Sequence, residues 1–239
     1  MNVRDGTCTT YGRELFRLAS VILCLLATLP PIVLADDDVQ QWSSVRYVQP
    51  IDDRWDVNLS GRLRVDDNLT RRRDLLVRPS VDYRIARRLH ISVGYDRLHT
   101  YPPDKNSEDR LWQQAVLKLK RGANSASQRL RIEQRWIDNV SGLVYRVRYR
   151  LRGEHTFDQT PWYIALSNEL FHNLNSQGAG PPSGFEQYRV YGGVGHYLTD
   201  RLWIEAGYQW KNKHRRDDTD QSVHALMLTL TFRGRPRDK

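Results

Sequence analysis

Residues 143–155 read LVYRVRYRLRGEH. Tyr145, Val147, Tyr149 and Leu151 share one parity, and Arg146, Arg148, Arg150 and Arg152 share the other. Successive side chains of a β-strand point to opposite faces, so the segment has an apolar side and a cationic side. A helix would scatter the same arginines around its axis. The kind of protein depends on which side faces inward.

The alternation recurs along the chain, in segments of about 10 to 13 residues separated by Pro, Gly, Asn, Asp and Ser. Strands are predicted at Val39 to Val48, Arg54 to Asp66, Asp74 to Arg84, His90 to Thr100, Glu108 to Arg121 and Ser127 to Ile137. They continue at Leu143 to Glu154, Trp162 to His172, Phe185 to Tyr197, Leu202 to Lys211 and Ser222 to Phe232. This is one all-β antiparallel meander without a linker, expected to close as a barrel.

Both a soluble barrel and a membrane barrel carry this pattern, with opposite faces inward. Four features favour lipid outside. The strands suit the roughly 9–11 residues that cross a bilayer when tilted. Aromatics recur toward the ends of the apolar face at Trp55, Tyr83, Tyr95, Trp136, Trp162 and Trp210, as an interfacial girdle would. The chain is predicted to be exported, and it finishes on an alternating strand ending at Phe232. Bacterial single-chain barrels have even strand numbers, so eleven segments imply ten or twelve strands. Val39 to Val48 is then the odd member, entering the lumen, packing at the seam or lacking an unseen partner.

The chain has 239 residues, with 37 Lys plus Arg against 28 Asp plus Glu. Arg13 and Arg17 precede an apolar run to Ala35 that Pro30 and Pro31 interrupt, so residues 1–35 read as a cleaved signal peptide and 36–239 as the barrel domain. Both cysteines, Cys8 and Cys24, lie in that leader, which leaves the exported domain no thiol chemistry. Its removal takes three arginines and two acids, leaving 34 basic against 26 acidic residues.

In order along the chain, several stretches resemble the bacterial outer-membrane proteins grouped as domain of unknown function 2490. They include the early Trp42, RLRVDDN at 62–68, VDYRIARRLHISVGYD at 81–96, the Glu108 to Gln114 pattern and RIEQRWID at 131–138. YRVRYRL at 145–151, SNELFHNLN at 167–175, EQYRVYGGVGHYL and EAGYQW follow. The resemblance implies an outer-membrane β-barrel and no particular reaction. The GRPRDK tail after Phe232 departs from the usual terminal aromatic.

With lipid outside, the lumen receives Arg62, Arg64, Arg78, Arg84, Arg129, Arg131, Arg135, Arg146, Arg148, Arg150, Arg152 and Arg189. Interleaved with them are Asp56, Asp82, Asp96, Glu133, Glu154, Glu169 and Glu205. Enclosed charges must be paired or hydrated, and the planar Arg fork suits that task. The expected function is a structural wall or a narrow anion-preferring pore. The expected partners are outer-membrane lipid, the barrel-insertion machinery and small anionic solutes. Nucleic acid is not expected, because arginines spread over acid-bearing strands do not form an exposed basic patch with stacking aromatics.

A lipid-modifying enzyme using Ser167, Asn168, Glu169 and His172, with His196 and His224 beyond, is one alternative; a soluble periplasmic barrel binding an anionic ligand is another. No G-x-S-x-G elbow supports the first, and Ser167 and His172 differ in parity. No cofactor or metal is implied, since the histidines are dispersed and the acidic run at 217–220 lacks a calcium loop's Gly and distal Glu.

Overall fold

The computed structural model describes residues 38–66, 69–103, 107–214 and 220–236. The predicted signal peptide, Asp36, Asp37, Asn68, residues 104–106 and most of the 217–220 run lie outside them. Strands follow in order as β1 (Asp38–Pro50), β2 (Trp55–Asp66), β3 (Arg71–Arg84), β4 (Leu89–Thr100), β5 (Glu108–Arg121) and β6 (Asn124–Ile137). Then come β7 (Val144–Thr156), β8 (Trp162–Asn173), β9 (Gly184–Thr199), β10 (Leu202–Lys213) and β11 (Gln221–Arg233).

Each strand pairs antiparallel with the next, and β1 closes the barrel against β11. The number is eleven, which corrects the expectation of ten or twelve. An odd meander leaves its first and last strands pointing the same way, so closure requires a parallel pair. β1 and β11 supply it, in register from Asp38↔Val223 to Val48↔Arg233. The Val39 to Val48 segment is therefore a full wall strand. The seam is clasped beyond the ladder, where Gly234 N donates to Val48 O at 2.8 Å and Gln49 Nε2 to Arg235 O at 2.7 Å. On its outer side Tyr47 stacks on Phe232 with ring centroids 5.6 Å apart.

Two strands begin three residues earlier than the composition suggests. β3 starts at Arg71 instead of Asp74, and β6 at Asn124 instead of Ser127. The β5–β6 turn shrinks to Gly122 and Ala123, with Gly122 at φ +57, a backbone region open to glycine.

The barrel is apolar outside and charged inside. On β8 Leu166 is 65% exposed, whereas Ala165 on the opposite parity is 1% exposed. Outward aromatics form two belts. Tyr47, Trp55, Tyr83, Trp162 and Phe232 ring the end with the short turns; Tyr95, Trp136, Tyr145, Tyr188, Tyr208 and Trp210 ring the end with the longer loops. Tyr188 on β9 and Trp162 on β8 belong to opposite belts, and Trp162 pairs with His196, eight residues along β9 from Tyr188. At about 3.3 Å per residue and a tilt of about 40°, those two levels differ in height by roughly 20 Å.

Candidate functional site: the charged lumen

Parity places the sequence-predicted residues Arg62, Arg64, Arg78, Asp82, Arg84, Asp96, Arg129, Arg131, Glu133, Arg135, Arg146, Arg148, Arg150, Arg152, Glu154, Glu169, Arg189 and Glu205 on the inner wall. They fall into two different settings along the barrel axis.

The half nearer the long loops is packed solid. Glu133 is fully buried; its Oε2 accepts from Arg146 Nε and Nη2 at 2.8 and 2.5 Å, and its Oε1 from Arg148 Nη1 at 2.7 Å. Arg146 continues to Glu186 at 2.8 Å. Glu108 joins Arg110 at 2.6 Å to Arg135 at 2.5 Å. Asp96 accepts two bonds from Arg78, each 2.6 Å, and one from Trp112 Nε1 at 2.6 Å. Rings fill the remaining space: the Arg131 guanidinium lies 3.8 Å from the Trp112 ring centre and that of Arg148 4.3 Å from Phe171. Trp112 fits because position 94 has no side chain: a Cβ there would sit 2.2 Å from Trp112 Cζ2.

The half nearer the short turns admits water. Arg46, Arg84 and Lys118 are exposed although their parity is inward, and Ser44, Arg62, Gln114, Arg150 and Thr229 are half-buried. Its ordered feature centres on Glu205, which accepts from Arg152 Nη2 at 2.6 Å, Tyr191 at 2.7 Å and Tyr163 at 2.8 Å. Gly195 provides the flat surface beneath Tyr163, since a Cβ there would sit 2.0 Å from Cζ of that ring. The lumen is therefore a vestibule at the turn end, stopped by a plug of ion pairs and rings.

A family profile described as "Protein of unknown function (DUF2490)" matches residues 39–222. The chain belongs to this family. A protein of Methylorubrum extorquens, described as uncharacterized, is 24% identical over 175 residues, covering 71% of this chain and 77% of its own. The DUF2490 match begins and ends within the wall strands β1 and β11.

Alternation did not reveal every lumen residue of this DUF2490 chain. Glu186 has the parity of outward Val190, but a register shift near Phe171 and His172 lets adjacent Glu186 and Gln187 both turn inward, each 5% exposed. A second shift near Arg64 and Val65 precedes the buried Asp66, which holds Arg71 at 3.0 Å and Arg73 at 2.8 Å. Inward Trp42, Trp112, Phe171 and Lys211 also escaped an inventory restricted to Arg and carboxylates. The Ser167 and His172 constellation does not assemble. Ser167 faces the lumen, His172 is exposed on the outer face, and Glu169 is occupied by Arg129 and Arg148. His196 packs against Trp162 and His224 against Tyr208.

Proposed function

We propose that the chain is an outer-membrane β-barrel whose lumen is closed on the long-loop side by its Arg and carboxylate network, giving a rigid, non-conducting wall protein. The observation that carries this reading is the inverted burial: aliphatic and aromatic side chains cover the outside while Glu133 and Asp96 are completely enclosed. A soluble barrel would bury the former and hydrate the latter. The two aromatic belts add support, because their separation of roughly 20 Å is close to the apolar band of about 25 Å on such barrels. Lipid contacts the outer face, the short turns lie in the periplasm, and insertion machinery reads the β11 end.

Membrane fractionation combined with heat-modifiable gel mobility tests this reading. The expected result is a membrane-bound protein whose band shifts on boiling; a soluble, non-shifting protein would overturn it. In planar bilayers the parent barrel is expected to show no conductance above leak. An anion-selective current would replace the closed wall with the narrow-pore reading, which the excess of lumen cations favours.

A further inference from the structure

One transverse row of the inner wall is out of electrical balance. Following the hydrogen-bond register from β6 to β10, Arg129 opposes Arg150, Arg150 opposes Glu169, Glu169 opposes Arg189, and Arg189 opposes Lys211. Four cations thus share one carboxylate. Like charges set directly opposite on neighbouring strands destabilise a sheet. Glu169 cannot balance the row, because its Oε1 already takes Arg129 and also Arg148 Nε at 2.9 Å from the next row. Among the described residues Arg150, Arg189 and Lys211 form no ion pair, nor does Arg62 across the lumen.

These surplus cations converge on one ring. The charged groups of Arg189, Arg62 and Lys211 lie 5.3, 5.5 and 6.0 Å from the centre of the Trp42 indole, and paired Arg64 lies 5.0 Å from it. The strongest charges acting on Lys211 come from Arg189, Arg64, Arg73 and Lys213, all cations. Lys211 is 6% exposed, and an indole face compensates only part of the cost of enclosing an ammonium. Buried donors are also idle nearby: Gln209 Nε2, two residues along the same inward face, and Arg150 Nε have no partner. The group facing Arg189 is the neutral Gln187 amide, whose oxygen accepts at 2.8 Å with the amide turned toward the guanidinium.

We infer that this row is a binding site for a compact polyvalent oxyanion of the phosphoryl type, entering through the vestibule at the turn end. Arg150 and Arg62 keep solvent access from that side, while Phe171, Arg148 and the Glu133 network form a floor that stops passage. Arginine forks and a lysine ammonium are the donor set that holds a tetrahedral anion through several oxygens. The inference rests on the lumen geometry and not on the membrane placement, so a failure of either leaves the other standing.

The test is a titration of the purified full-length barrel in detergent with inorganic pyrophosphate at constant ionic strength, read by calorimetry and by thermal melting. Saturable binding that raises the melting temperature is expected, with no such response to sodium chloride at matched ionic strength. Lys211→Met should weaken binding by about tenfold and, without anion, raise the melting temperature by a few degrees, because it removes an enclosed like charge. Arg150→Gln, on the accessible side, should weaken binding without compromising the fold. No pyrophosphate binding by the parent barrel, equal response to chloride, or unchanged affinity in Arg150→Gln would overturn the site. A loss of anion-free stability in Lys211→Met would do the same, since it would make the lysine a structural element.

Discussion

Arg146 and Arg46 both project from the wall into the lumen, and they end in opposite environments. Arg146 is 4% exposed between Glu133 and Glu186, whereas Arg46 touches the neutral Asn58 at 3.1 Å and is open to water. The same residue type therefore serves two purposes, set by its neighbours. Where enclosed carboxylates and rings leave no room for water an arginine joins a solid plug; where its neighbours stand apart and water reaches it, it lines a hydrated vestibule. A removed partner must cost far more in the first setting, because desolvated charges have no water to fall back on.

The strongest way to break this contrast is Glu133→Gln. It strips the carboxylate from Arg146 and Arg148 inside the plug, with an expected loss of about 3–5 kcal/mol in urea unfolding of the detergent-solubilised barrel. A loss no larger than that from a vestibule substitution would show that the two halves are energetically alike. Next in size is Gly94→Ala, which forces the Trp112 ring from its seat and should cost about 1–3 kcal/mol, with a change in tryptophan fluorescence. In the vestibule, Glu205→Gln should cost about 1 kcal/mol, less in high salt because water and ions reach its partners. The smallest effect is expected from Arg97→Gln, which breaks an exposed pair with Asp109 on the outer face and should change stability by no more than about 0.5 kcal/mol. A large effect there would mean that the outer face is not a simple solvent or lipid boundary.

The alternation of residues 143–155 carries far in this molecule, because a period of two survives any error in strand ends: Arg146, Arg148, Arg150 and Arg152 stay on one face wherever β7 begins. Strand number was harder to read, since eleven segments were visible but the parallel β1–β11 pairing has no local sequence signature. Glu186 was hidden for a different reason, as a bulge exchanges inside for outside and depends on the partner strand. The division into plug and vestibule was also illegible. It arises from which residues of non-adjacent strands meet in the lumen, such as Arg152 with Glu205 or Trp42 with Arg189, and those meetings depend on how the sheet curls and closes.

The parallel seam also determines the sidedness of the chain. After eleven crossings Asp38 opens on the long-loop mouth and Arg233 on the turn mouth. In the membrane placement proposed above, these two mouths face opposite compartments, so peptide epitopes fused before Asp38 and after Arg235 are expected to be accessible from opposite sides of a sealed vesicle.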